Sequence, residues 1–473
     1  MELIIPFQLV TNMPKARTSK RKPVSMFVDS DNMALALDLY ELTMAAAYFD
    51  NDEFHEATFE LFVRNFPKDR SYLLAAGLEQ VVQYLLNVRF NDSQIKFLKA
   101  HPSFKHVSKA FFNYLRRFRF TGDVWAVPEG TVVFTNEPIL RVTAPVIEAQ
   151  IVETYLLSTI NFQTLIATKA SRVVQAAKGR EIIEFGSRRA HGPEAGVLAA
   201  RASYIGGCIG SSNVLADYEF GVPSYGTIAH SFVMNFDSEK EAFQKYCKVF
   251  PEHSTLLIDT YDTIQGAKNA IDIGLRPVAV RLDSGDLYDL SVQVRKILDD
   301  AGFKDTRILA SGDLNEYLIE ELVSKGARID AFGVGTELST SRDDPALSGI
   351  YKLVSIKKNG KPIQRMKLSR GKKTIPGSKQ IYRFYSQDGK LKEDILALES
   401  EPSPEGSIPL LVKVIEGGRL IYDLPSLGEI RKGAGLELNR LPDSYKRLRI
   451  SEEPPVRLSQ RLEQLLTLPQ QSS

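Results

Sequence analysis

Cysteine is nearly missing: Cys208 and Cys247 are the only two among 473 residues. Two thiols cannot build a disulfide framework, and a reducing cytosol is the compartment that follows. Excess charge is missing too. Sixty Lys and Arg face 58 Asp and Glu, a formal net charge of +2, so no global basic field points to nucleic acid. No apolar run approaches the ~20 residues of a membrane-spanning helix. Solenoid repeats and low-complexity blocks are absent, as are a lysine-bearing phosphate loop and any Cys/His spacing suited to zinc. A secretory signal is excluded as well. The apolar start MELIIPFQLV precedes the basic cluster Lys15, Arg17, Lys20, Arg21 and Lys22, whereas a signal places its charge first. These exclusions leave a globular, cytoplasmic chain of ordinary composition, 43% hydrophobic and 25% charged. It is expected to contact neither nucleic acid nor membrane.

What is present falls into four stretches. Residues 1–27 read as a disordered leader. Residues 28–146 read as an N-terminal α+β domain: a helix over 35–49, a strand over 54–64, helices across 71–118, and short antiparallel strands over 122–142 (GDVWAVPEGTVVFTNEPILRV). A long helix is expected over 147–178, stopped by Gly179. From there to 345, short apolar runs alternate with amphipathic helices at 238–249, 263–273, 287–301 and 315–325. That is the pattern of βαβ units on a parallel sheet. Residues 346–473 turn β-rich, with 350–425 expected to pair with the 122–142 strands, and end in a helical tail. The fold class is α/β: an incomplete or irregular (βα) barrel, with a second α+β domain built from N-terminal and C-terminal segments.

The expected strands of the barrel end in polar or small residues: Glu184, His230, Asp259, Asp283, Asp313 and Gly335. Ligands bind at the carboxyl ends of strands in such folds. His230 sits in GTIAHS beside Thr227 and Ser231. A histidine is more often a structural hydrogen-bonding residue, but at a strand end it suits acid–base chemistry or attack on phosphate. Arg188 and Arg189 follow Phe185 and Gly186. Their plain role is a surface salt bridge, and their place among the strand ends favours an anionic substrate. In RLDSGDL (281–287) a cation and two acids flank a tight turn. Asp283 and Asp286 suit Mg²⁺ or sugar hydroxyls, and Asp286 serves equally well as a helix cap. Ser311, Gly312 and Asp313, and Gly333, Val334, Gly335 and Thr336, form small-residue turns that can offer backbone N–H groups to phosphate. LLIDTYDTIQG (256–266) is a weak match to the ribose-phosphate loop of one phosphoribosyltransferase class, with Thr260 in place of the second paired acid. The basic run Lys367, Arg370, Lys372, Lys373 and Lys379 reads first as a solvated face.

Together these stretches resemble the nicotinate phosphoribosyltransferase family over most of residues 35–385. The resemblance rests on LDLYELTMA, FGSRRAHGPEA, YIGGCIGSSNVLA, GVPSYGTIAHSFV, RLDSGDL, FGVGTEL, YKLV and KLSRGKKTIPGSKQIYR, in that order. Leu37 and Ser211 each stand where the family usually has Thr. The resemblance implies a type II phosphoribosyltransferase-like fold. It implies transfer of phosphoribose from phosphoribosyl pyrophosphate to the ring nitrogen of nicotinate, giving nicotinate mononucleotide for NAD salvage, with Mg²⁺ and with ATP as co-substrate. It further implies that ATP phosphorylates His230, that Tyr40, Thr227 and Arg281 contact nicotinate, and that Gly335 and Thr336 hold phosphate. A homodimer with sites near the subunit boundary is also implied. The residue chemistry is compatible. Tyr40 can stack on a pyridine ring, Arg281 or Arg188 can pair with a carboxylate, and Asp283 suits ribose or Mg²⁺. Two other readings stay open: a relative that takes nicotinamide or quinolinate, and a non-catalytic sensor of an NAD precursor. An unrelated sugar-phosphate barrel would leave YKLV and KLSRGKKT unexplained.

Overall fold

The longest helix, Glu153–Ala176, joins the two halves of the molecule and buries residues along its whole length, from Leu156 to Ala176. It is shorter than the 147–178 helix expected from the sequence, because Val152 separates it from a first piece, Val146–Ile151. A carboxylate sits at the junction. Glu41 takes the Thr154 N–H at 3.1 Å, so the opening turn of the long helix is satisfied from outside rather than by the turn before it. These features come from a computed structural model that describes residues 27–367, 374–449 and 452–467. The 1–27 leader, apart from Phe27, lies outside the described residues, as do Arg370, Lys372 and Lys373 of the basic run.

One half is built on a seven-stranded sheet that interleaves both ends of the chain. Its order is Lys361–Gln364, Gly349–Lys358, Glu56–Val63, Pro138–Pro145, Asp123–Ala126, Val412–Glu416 and Arg419–Leu420. The strand Glu56–Val63 is buried at seven consecutive positions, as a central strand covered on both faces must be. The expectation that 350–425 pairs with 122–142 holds only for Val412–Glu416, which lies against Asp123–Ala126. Gly349–Lys358 pairs instead with Glu56–Val63. Residues 379–385, 391–398, 408–409 and 456–458 form a separate four-stranded sheet, and the tail helix is Gln460–Thr467.

The other half is a six-stranded parallel sheet in the order Gly210–Ser211, Glu181–Glu184, Ala331–Val334, Arg307–Ala310, Ala279–Leu282 and Thr255–Leu257. It curls but does not close. Beyond the outer strand Gly210–Ser211 a single isolated bridge, Ser211 to Ser224, stands in place of a further ladder, and the other outer strand, Thr255–Leu257, pairs only with Ala279–Leu282. The connecting helices start where short polar side chains cap them. Ser238, Asp262, Asp286 and Asn315 each accept first-turn N–H groups. Among the described residues no helix is long and apolar enough to cross a membrane.

A buried ion cluster fastens the halves together. Lys169, fully buried on the long helix, lies 2.5 Å from Glu316 and 2.9 Å from Asp343. Arg70 from the first half reaches Asp343 at 2.5 Å, and Arg172 joins Glu316 to the Leu448 carbonyl. Removing one member strands the others in a low-dielectric interior. Lys169→Met is expected to lower unfolding free energy by about 3–5 kcal/mol, read as the midpoint shift in urea denaturation.

Candidate active site

The parallel register brings the strand ends to one rim. Val334 pairs with Glu184, Ala310 with both Leu282 and Phe332, Leu257 with Arg281, and Glu184 with Ser211. The residues just beyond these ends surround one cleft of about 690 Å³. It is lined by Phe185, Arg188, Arg189, Thr227, His230, Arg281, Asp283, Ser311, Gly312, Asp313, Gly335 and Thr336.

Arg281 organises the floor. Its Nε donates to Ser311 Oγ at 2.7 Å, Nη1 to Thr227 Oγ1 at 2.7 Å and Nη2 to Asp283 Oδ1 at 2.6 Å. Three of the five guanidinium donors are thereby fixed in place, which leaves N–H groups for an incoming anion. Ser311, buried to 3% exposure, also donates to Asp283 Oδ1 at 2.5 Å. Burial pulls the Asp283 carboxyl upward, but the Ser311 hydrogen bond and the Arg281 charge outweigh it, and the group is held below the usual carboxylate range. The Ser311–Gly312 turn packs directly on this strand end. Gly312 has φ +94°, and a Cβ there would lie 2.1 Å from the Asp283 carbonyl oxygen, so only glycine fits.

His230 is half-exposed. Its Nδ1 is 3.2 Å from Thr260 Oγ1, and its Nε2 is 3.9 Å from Asp283 Oδ2. Its backbone placement corrects the sequence reading. The segment before it is not a strand: after the Ser224 bridge the chain runs irregularly, and His230 opens the short helix His230–Met234. Pro223 has no N–H for a ladder and Gly226 disfavours extended pairing. The imidazole nonetheless faces the same cleft as the strand ends.

Arg188 stands exposed on the rim, in the turn Ser187–Arg189. Gly335 and Thr336 line the opposite side. Asp286 lies away from the cleft lining and caps the helix Leu287–Asp300 through the N–H groups of Tyr288 and Asp289, so of its two roles the structure shows the capping one. Tyr40 does not line the cleft of its own chain. It lies on the helix Leu39–Asp50, 45% exposed, with burial and Glu153 raising its hydroxyl pKa. Sequence reasoning gave no role to Phe185, whose ring centroid is 6.0 Å from the Arg281 Cζ, or to Thr260. The available signal for Phe185 was its position one residue past a strand end. For Thr260 it was the 256–266 match, set aside because a hydroxyl replaced an acid.

Comparison with known proteins places the fold in a family. The model of the nicotinate phosphoribosyltransferase N-terminal domain matches residues 35–161, that of the quinolinate phosphoribosyl transferase C-terminal domain matches 166–343, and that of the nicotinate phosphoribosyltransferase C-terminal domain matches 406–466. A nicotinate phosphoribosyltransferase of Mycobacterium tuberculosis is 44% identical over 88% of this chain and 89% of its own length. That of Bacillus subtilis is 40% identical over 91% and 94%. The crystal structure of human nicotinic acid phosphoribosyltransferase superposes with a TM-score of 0.80 at 32% identity, covering 91% of this chain and 99% of that one. The nicotinate-nucleotide pyrophosphorylase of Pyrococcus furiosus gives 0.73 at 25%, covering 89% and 99%. The open parallel barrel with flanking N- and C-terminal segments is the type II phosphoribosyltransferase fold. Relatives at this identity span nearly the whole chain, so the protein belongs to the nicotinate phosphoribosyltransferase family.

Proposed function

We propose that this cleft transfers phosphoribose from phosphoribosyl pyrophosphate to nicotinate, with ATP hydrolysed through a phosphohistidine at His230. The lone pair of the pyridine nitrogen forms the new bond to ribose C1 as the C1–O bond to pyrophosphate breaks, and pyrophosphate departs with that electron pair. The ribosyl centre gains oxocarbenium character, so alignment and charge stabilisation supply the acceleration.

The observation that carries this reading is the pairing of Arg281 with Phe185. A flat aromatic acid can lie against the Phe185 ring while its carboxylate takes the remaining guanidinium N–H groups. An uncharged amide would leave those donors poorly matched. Arg188 and the Gly335–Thr336 turn offer the phosphate contacts. Tyr40 supplies the second aromatic face from the other copy in a homodimer. Its helix exposes Leu39 and Tyr40, and the helix Val214–Phe220, which follows the cleft-lining Ser212, exposes Val214, Leu215 and Tyr218. Large apolar side chains left uncovered in one chain suit such a contact.

Mg²⁺ fits as a substrate-borne ion. Asp283 Oδ1 is occupied by Arg281 and Ser311, and Oδ2 is the oxygen left to a metal. One carboxylate together with substrate phosphates and water is the usual way such an ion is held. When bound, the ion would neutralise charge on the leaving pyrophosphate.

With Nδ1 donating to Thr260, His230 Nε2 carries its lone pair. It attacks the γ-phosphorus of ATP, and ADP leaves with the bridging oxygen. Incubation with γ-labelled ATP is expected to give an acid-labile label on the protein. His230→Ala should abolish the label and the ATP stimulation while leaving slow, ATP-independent formation of nicotinate mononucleotide. ATP stimulation that survives intact in the variant would refute the role. Purified protein offered nicotinate, nicotinamide and quinolinate in turn should prefer nicotinate.

A further inference from the structure

The cleft rests on a carboxylate that the reaction does not use. Glu184 ends its strand fully buried, and no cation pairs with it among the described residues. One oxygen accepts the Gly186 N–H, and the other accepts Ser211 Oγ at 2.6 Å. Its own carbonyl takes the Ser212 N–H at 2.9 Å. Ser211 Oγ in turn accepts the Asn213 N–H at 3.1 Å, and Asn213 Nδ2 reaches Ser187 Oγ at 3.1 Å. Gly186 is closed in: a Cβ there would lie 2.1 Å from Ser339 Oγ, on the helix that begins at Thr336. A single side chain thus joins the turn bearing Arg188 and Arg189, through Gly186, to Ser211 beside Ser212; Gly186 itself packs on the helix that begins at Thr336.

We propose that Glu184 is a positioning residue that holds the Arg188–Arg189 turn at the height needed to grip the anionic substrates, and that it does so in its ionised form. The inference rests on the phosphoribosyl transfer proposed above. A carboxylate accepts from both turns at once, with charge-assisted strength. The protonated group must donate to Ser211, which strips the Ser211 hydroxyl of its acceptor and weakens the bond from Gly186.

Burial pushes Glu184 up to about 7, against the pull of its bonds to Ser211 and Gly186, so the switch falls in the working range. The groups facing it leave it the titrating member. The Cys208 thiol is buried and raised out of this range. Arg431, from the helix Leu427–Arg440, is bonded to the Gly207 and Cys208 carbonyls. The strand Ala331–Val334 carries no ionisable side chain, Glu337 on the following helix pairs with Arg342, and the helix Pro193–Ile205 presents Gly196 to Ser187.

The test is steady-state kinetics of the full chain from pH 6 to 8.5, with nicotinate and phosphoribosyl pyrophosphate varied separately. In the wild-type protein KM for phosphoribosyl pyrophosphate should rise as pH falls through about 7. In Glu184→Gln it should be about three- to tenfold higher at pH 8, the worth of one hydrogen bond, with kcat within about twofold and the pH step gone. Ser211→Ala, which removes a bond that lowers the Glu184 pKa, should move the step to higher pH; it also supplies the readout if the Gln variant does not fold. A pH step unchanged in either variant, or a loss confined to kcat, overturns the positioning role. A wild-type protein that forms no nicotinate mononucleotide overturns the underlying reaction instead, so the two failures are distinguishable.

Discussion

Arg281→Ala is expected to lower kcat/KM for nicotinate by about 100- to 1,000-fold, or roughly 3–4 kcal/mol of transition-state stabilisation. Two losses combine. The substrate carboxylate loses its partner, and Asp283 keeps its half-buried position without the cation that offsets it. Arg281→Lys should recover little. An ammonium cannot reach Ser311, Thr227 and Asp283 together in the planar fork they now share. The pH profile gives a second readout with a definite sign. In the wild-type protein the Ser311 bond and the Arg281 charge hold Asp283 below the usual range, so an acid limb due to Asp283 lies far below neutrality. Without the guanidinium, burial acts with less opposition, the Asp283 pKa rises, and the acid limb must move toward neutral pH. Preference for nicotinate over nicotinamide should collapse at the same time. A variant that loses rate but keeps both its acid limb and its base preference would show that the nicotinate carboxylate is bound elsewhere, with Arg188 the next cation to test.

The barrel half was legible because its signals are local. A buried parallel strand is a short apolar run, and Ser238, Asp262, Asp286 and Asn315 mark the helix starts by side chains that accept first-turn N–H groups. The strand-end rule then gathered Arg281, Asp283, Ser311 and Gly335 to one rim without any knowledge of packing. Pairing in the other half was not legible. Gly349–Lys358 lies on Glu56–Val63, across nearly three hundred residues, and nothing in either strand names its neighbour. The site shows the same division. His230 reaches the cleft from a short helix rather than a strand, because its side chain, not its secondary structure, is what the site holds. Thr260 looked like a degraded acid motif, yet its hydroxyl orients the imidazole. The sequence assigns Phe185 no role, since an apolar residue after an apolar strand gives no hint that it lines a cleft. Tyr40 marks the limit of motif reading: its motif matches the family, yet it lies outside the cleft that the other matched residues line.

Gly312→Ala tests the whole rim with one carbon atom. Two costs arise, and a control separates them. The first is conformational: φ of +94° strains any L-residue, by roughly 1–3 kcal/mol. The second is steric and local to the site, since the new Cβ would meet the Asp283 carbonyl oxygen at 2.1 Å. Neither partner is a flexible side-chain end. Relief therefore requires the turn or the Asp283 strand end to shift, and Ser311 and Arg281 are tied to both. A shift near 1 Å in a catalytic array costs about 100-fold in rate, so activity should fall by that order. Gly302 has a similar φ of +79° but nothing within 4 Å of its would-be Cβ. Gly302→Ala should lose comparable stability in a denaturation curve and keep full turnover. If Gly312→Ala behaves like Gly302→Ala, the contact between the Ser311–Gly312 turn and the Asp283 strand end has no hold on catalysis, and the alignment of Arg281 and Asp283 must be maintained from the Thr227 side alone.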